Sequence, residues 1–321
     1  MEKQVGQDIS SSIIFFQKVY GKCLADHLYA TEIPQLHGEA FSGLIHLAWS
    51  TFQRTAKNGE DEVFRAHEVA HQWWGIGVGF ASYHDQWLSE GFADYSGLWY
   101  LQMASNDNAK FFDRLDAWKE DILKNRHYLL GNGQEAGPIW LGYRTQSSET
   151  GGDYNLIIYK KGAWILHMLR NMMIDLKSMK EDRFIDMMHE FYTSNLGKTP
   201  STRDFQNVVS KYCGEDMGWF FDQWVYSTKV PEYKFSYHTS ATPQGKFKVT
   251  CRVQQDKVPE QFKMYVPILI KFGGDRYARV RVPVTGRKCE FDLPLLPIEP
   301  EKIVFNDLDS ILCEVEEVDW E

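Results

Sequence analysis

Apolar and polar positions along the chain change rhythm once, near Pro231. Before that point apolar residues recur three or four apart, the period of a helix with one buried face. After it they alternate with polar residues, the period of a half-buried strand. In the first part, Ile13 to Tyr20 carries an apolar helical face, and the polar run from Asp8 to Ser12 reads as its cap. Leu28 to Ile33 reads as a strand ended by Pro34, and Leu44 to Trp49 as a second. Helices are expected over Glu60–Gly75, Leu88–Met103 and Asn106–Leu129, the last with Phe111, Leu115, Trp118 and Ile122 at helical spacing. Gly131 to Gly152 is a long polar, glycine-rich loop, usually functional or mobile in a compact domain. Further helices are expected over Asn155–Leu176, Arg183–Tyr192 and Asp216–Tyr226, and one starts near Ser201, which stands in capping-box spacing with Asp204.

Beyond Pro231, Phe247, Val249, Cys251 and Val253 alternate with polar residues, as do Ala278, Val280, Val282 and Val284. Gly245, Gly273-Gly274 and Gly286 supply the turns. The expectation is an α+β chain: a mostly helical domain over residues 1–228 with a small edge sheet, then an antiparallel β-sandwich over 229–321. A length of 321 residues suits two domains better than one core.

Composition narrows the function classes. With 43% hydrophobic and 25% charged residues the chain reads as soluble and globular. A net charge of −9 without a basic patch argues against nucleic acid as a partner and mildly favours cationic ones. No apolar run reaches the length of a membrane span, and the polar start lacks the apolar core of a signal peptide, so the compartment stays open. The five cysteines are scattered without a CxxC pair and none is near the candidate chemistry. They read as buried thiols, with a bridge among Cys251, Cys289 and Cys313 as the alternative.

The candidate chemistry is His67-Glu68-Val69-Ala70-His71. Residues four apart share a helix face, so His67 and His71 would present two imidazoles to one point. Glu68 sits beside them as a general base, the HExxH arrangement for zinc. A catalytic zinc keeps three protein ligands and one open position, so a third ligand is needed. Glu90, after eighteen intervening residues, supplies it from a neighbouring helix. Asp94, one turn beyond, is placed to accept the free ring N–H of a metal-bound histidine. One Zn2+ is therefore the expected cofactor.

Residues 64–95, with HExxH, Glu90 and the Gly-Phe-Ala that follows it, resemble the gluzincin aminopeptidases, the family of the membrane alanyl aminopeptidases and leukotriene hydrolases. The resemblance implies a thermolysin-like catalytic domain followed by a β-domain. It also implies a peptide substrate and further domains in the full-length chain. It implies a tyrosine before a Lys-Gly pair that stabilises the oxyanion. Tyr159, in Ile158-Tyr159-Lys160-Lys161-Gly162, matches that pattern, with Tyr143 and Tyr154 as nearby alternatives. The family's Gly-x-Met-Glu-Asn segment, which lies on the sheet edge beside the substrate, falls at Gly38, Glu39 and Ala40. Ala40 stands where the amine-gripping glutamate is expected, and Glu39 is one residue off. On a strand that shift turns the side chain to the other face. Glu39, Asp85 or another carboxylate remains as a substitute for it. Two other readings compete: a zinc-containing scaffold without peptidase activity, and a hydrolase of a non-peptide substrate. The retained Glu68 speaks against a scaffold, which has no need of a base.

Overall fold

The computed structural model describes residues 1–53, 56–104, 108–124, 137–146 and 152–320. They form two compact units, Met1–Leu169 with Asp182–Thr228, and Arg170–Glu181 with Lys229–Glu321.

The first unit opens on helix α1, Glu2–Tyr20. The expected cap at Asp8–Ser12 is not a cap, because the helix runs straight through it. Val5, Ile9, Ser12, Phe16 and Val19 form its buried face. Asp8 faces inward with them and accepts a hydrogen bond from Arg65 Nη1 at 2.6 Å. A distant partner thus outweighs the local capping chemistry of the run. Strands β1 (Tyr29–Ile33), β2 (Glu39–Phe41) and β3 (Leu44–Ala48) follow, in sheet order β1-β3-β2. β1 is parallel to β3, and β2 is antiparallel to it with Glu39 opposite His46 and Ala40 opposite Ile45. β2 is therefore an edge.

Helix α2 spans Glu60–Ala70 and opens with Glu60, Asp61 and Glu62, whose charge suits a helix N-terminus. Helix α3 spans Trp87–Ala104 and is buried on most sides. Helix α4, Ala109–Lys124, buries Phe111, Leu115, Trp118 and Ile122 at the expected spacing. The continuation expected to Leu129 lies outside the described residues, as does half of the 131–152 loop. The described part of that loop holds a 3-10 segment, Ile139–Thr145. The expected helix from Asn155 is in fact two windings, a π-helical segment over Asn155–Lys161 and then α5, Gly162–Met173. Helices α6 (Asp182–Asn195), α7 (Thr202–Cys213) and α8 (Gly218–Trp224) complete the helical part. α7 carries the capping box of Ser201 and Asp204.

Two close approaches fix these helices around the site. A Cβ on Gly97 would lie 2.6 Å from the Val63 carbonyl oxygen, so α3 touches the α2 backbone there. A Cβ on Gly91 would lie 2.9 Å from the backbone of Gly162, so α3 touches the start of α5 as well. An aromatic core closes beneath them, with Trp74 and Phe92 at 5.0 Å and Phe92 and Phe205 at 5.0 Å.

The second unit holds two sheets, ordered β10-β4-β5-β8 and β7-β6-β9. Their strands are β4 Glu232–Ala241, β5 Phe247–Asp256, β6 Lys263–Lys271, β7 Tyr277–Thr285, β8 Lys288–Asp292, β9 Lys302–Phe305 and β10 Glu314–Glu317. They meet face to face, with Phe305 of one sheet 5.3 Å from Tyr233 and 5.0 Å from Phe235 of the other. All pairings are antiparallel except the outer β10, which is parallel to β4. Arg281 on β7 donates to the carbonyls of Asn171 and Ile174, which ties residues 170–181 to this unit. None of the five cysteines is in a disulfide, and Cys251 and Cys313 are buried. Among the described residues no helix is long and apolar enough to cross a membrane.

Candidate metal centre

His67 and His71 lie at the C-terminal end of α2, and Glu90 lies in the first turn of α3. The Nε2 atoms of the two histidines are 3.0 Å apart. Glu90 Oε2 is 3.7 Å from His67 Nε2 and 3.4 Å from His71 Nε2. Zinc ligands about 2.0–2.2 Å from a shared ion at tetrahedral angles lie roughly 3.3–3.6 Å from one another. The three separations, 3.0, 3.4 and 3.7 Å, bracket that range, and two imidazoles with one carboxylate are a zinc donor set.

The other ring nitrogens are both held. His67 Nδ1 donates to Asp94 Oδ1 at 2.7 Å, and His71 Nδ1 donates to the Trp74 carbonyl at 2.9 Å. A histidine whose single proton sits on Nδ1 keeps its Nε2 lone pair for a cation, and both Nε2 atoms lie on the side of Glu90. Carboxylate and carbonyl partners of this kind orient metal-binding histidines. The Trp74 carbonyl is a partner that no side-chain motif reveals. Its signal is positional: α2 ends at Ala70, and the tight turns to Trp74 fold that carbonyl back over His71.

The surrounding charges pull in opposite directions. Burial opposes a charged His67 imidazole, but the Asp94 carboxylate beside it, together with Glu68 and Glu90, outweighs burial and lifts its pKa to about 9. Burial likewise raises the Glu68 carboxyl, against the counter-pull of His67 and His71. Burial would raise Glu90 as well, yet its hydrogen bond and charge contact with His71 hold it below the usual carboxylate range. Protons and a cation therefore compete for this cluster of acids and imidazoles.

Tyr159 lies in the π-helical segment, its ring parallel to that of His67 at a centroid distance of 5.9 Å. Its hydroxyl donates to Glu90, and burial together with that carboxylate raises its pKa far above the ordinary tyrosine value. Tyr154 packs edge-on against it at 5.7 Å, and Tyr143 lies one ring further out, 5.9 Å from Tyr154 and 62% exposed. Of the three tyrosines, Tyr159 borders the cleft.

That cleft has a volume of about 840 Å³ and is lined by the metal cluster, by Glu68 and by residues 37–41 of the edge strand and its approach. Gly38 lies hard against Glu68: a Cβ there would be 2.1 Å from Glu68 Oε1. Only a glycine backbone leaves the carboxylate where it is. Glu39 also borders the cleft, but its carboxylate is shared by His37 at 3.3 Å and His46 at 3.6 Å. Asp85, the other candidate for the amine, is not at the cleft. It is buried and accepts from the Thr202 amide at 2.7 Å and from Ser82 Oγ at 2.8 Å, so it anchors the start of α7.

Comparison with known proteins gives consistent results. The peptidase family M1 domain matches residues 47–224. Aminopeptidase A of Gloydius brevicauda is 26% identical over 215 residues, covering 65% of this chain and 21% of that protein. Aminopeptidase N of Lactococcus lactis subsp. lactis is 26% identical over 175 residues, covering 52% of this chain and 18% of the relative. The chain thus spans about a fifth of the length of these relatives. The crystal structure of Legionella pneumophila aminopeptidase A in complex with aspartic acid shares the fold. Its TM-score is 0.70 at 14% identity, over 99% of this chain and 35% of that one.

Proposed function

Since the chain belongs to peptidase family M1, the gluzincin aminopeptidases, we propose that it hydrolyses peptides with one zinc ion held by His67, His71 and Glu90. The observation that carries this reading is the triangle of ligand atoms, separated by 3.0, 3.4 and 3.7 Å, with both histidine Nδ1 protons already engaged. Zinc, when bound, supplies Lewis acidity that makes water a stronger nucleophile and the scissile carbonyl a better electrophile. Glu68 accepts the proton of the attacking water and delivers it to the leaving amine. Asp94 keeps the His67 proton on Nδ1. Tyr159 turns its O–H from Glu90 to the developing oxyanion, a contribution of about a hundred- to a thousandfold in rate. This site belongs to a catalytic domain over residues 1–228, and the β-sandwich over 229–321 adds no catalytic group.

The substrate is an extended peptide laid along β2, whose free edge can pair with a backbone, with Gly38 and Ala40 facing it. Relatives are named aminopeptidases, and removal of N-terminal residues is the favoured reaction. The grip on the amine is loose here, because Ala40 has no carboxylate and Glu39 is engaged by two histidines. The test compares one peptide with a free and with an acetylated amino terminus. The reading expects cleavage of both, the free form being preferred by less than about tenfold. A loss above about a hundredfold on acetylation would show a firm amine grip, and cleavage of neither would contradict the peptidase reading.

A further inference from the structure

The cleft contains one cationic group that the proposed chemistry leaves unused. Arg114, on α4, lines the same cleft as Glu68 and Glu90. The other charged residues lining it are acids, apart from the histidines, so Arg114 is its single arginine or lysine among the described residues. Its side chain is 16% exposed. The Nε atom is buried and has no hydrogen-bond partner among the described residues. The carboxylate it faces, Glu60, lies 3.9 Å from Nη1, beyond hydrogen-bond reach, and is itself 61% exposed.

Buried polar groups are almost always satisfied, and an arginine left partly unsatisfied in a binding cleft invites explanation. If Arg114 served only to tie α4 to α2, its guanidinium would close on Glu60 with ordinary hydrogen-bond distances. Instead the planar fork of N–H donors, suited to bidentate capture of a carboxylate, is held partly desolvated at the cleft wall. Trp118 lies one turn further along α4 and lines the same cleft, so an ion pair formed at Arg114 would be shielded from water on that side.

We propose that Arg114 is a specificity-determining residue that pairs with a carboxylate of the bound peptide. That carboxylate is either the C-terminus of a short peptide or an aspartate or glutamate side chain. The proposal rests on the peptidase reading only in taking the ligand to be a peptide.

Binding tests it without requiring turnover. The zinc-loaded Glu68→Gln chain is titrated calorimetrically with two matched pairs of probes. The first pair is leucyl-alanyl-alanine and its C-terminal amide. The second is leucyl-glutamyl-alanine amide and leucyl-glutaminyl-alanine amide. In at least one pair the acid is expected to bind about tenfold or more tighter than its neutral twin, the size of a charge-assisted pair. The pair that separates identifies the source of the carboxylate. In Glu68→Gln/Arg114→Gln the separation should fall below about threefold while the neutral peptides bind as before. Glu68→Gln/Arg114→Lys, which keeps the charge, should retain part of it. Thermal unfolding of each variant checks that the fold is intact, and the lysine variant serves if the glutamine variant fails to fold. The proposal is overturned if neither pair separates, if the separation survives Arg114→Gln, or if neutral peptides lose affinity equally. Carboxylate discrimination in a protein whose parent cleaves no peptide would instead sink the peptidase reading and leave this one standing.

Discussion

Gly91→Ala offers a quantitative probe of how the fold holds the site. The new Cβ would lie 2.9 Å from both the carbonyl carbon and Cα of Gly162 and 3.1 Å from the Ile158 carbonyl oxygen. Ordinary contact begins at 3.4 Å, so α3 must retreat from α5 by about 0.5 Å, and backbone atoms on both sides cannot swing away. Overpacking of this kind costs about 1–3 kcal/mol. Ala is favoured over Gly inside a helix by about 1 kcal/mol, which offsets part of it. The expected net loss is about 1 kcal/mol, read as a lower urea midpoint at unchanged slope. Gly6→Ala is the control: it lies within α1 with nothing within 4 Å, so it should gain about 0.5–1 kcal/mol. The same retreat parts Glu90 from Tyr159, since the first rides on α3 and the second on the segment leading into α5. A misplacement of about 1 Å can cost a hundredfold in rate, so about tenfold is expected here, measured on a quenched peptide substrate. A Gly91→Ala protein as stable as Gly6→Ala and fully active would refute the close approach and its role.

Asp8→Ala should destabilise the chain by about 3–5 kcal/mol, because Arg65 is fully buried and would lose the carboxylate that balances its charge while keeping its hydrogen bonds to Thr51; chemical unfolding reads this, and a loss below about 1 kcal/mol would deny the pair its role. Asp94→Ala should weaken zinc binding by about ten- to a hundredfold without unfolding the chain, measured by competition with a chelating dye. Tyr159→Phe should lower kcat by about a hundredfold or more, and Tyr154→Phe by far less; equal effects would remove Tyr159 from its assigned position.

What the sequence made legible was whatever its local spacing encodes. Two histidines four apart, and Glu90 and Asp94 four apart, each define one face of one helix, and the structure brings these four side chains together. The same holds for the buried stripe of α4 and the capping box of α7. What stayed hidden depends on partners far along the chain. Asp8 looks like a cap until Arg65, 57 residues on, claims it. The glycines at 91 and 162 enter the sequence reading as parts of the Gly-Phe-Ala and Lys-Gly motifs, and only the structure shows that α3 and α5 cross there. Apolar periodicity does not separate a π-helical winding from an α-helical one, so the segment that aims Tyr159 read as plain helix. β10 runs parallel to β4, a pairing set by a long connection rather than by its own alternation. Asp85 carried a plausible charge for an amine and proved to be a buried anchor for α7.

Bound zinc and peptide cleavage, measured on one preparation each of the parent and Glu68→Gln, separate the metal from the base. Glu68 supplies no ligand atom to the triangle of His67, His71 and Glu90. One zinc per chain is therefore expected in both the parent and the variant, with cleavage in the parent and its loss by several orders of magnitude in the variant. A Glu68→Gln protein that still cleaved peptides at the parent rate, or a parent that cleaved them with no metal bound, would contradict this expectation.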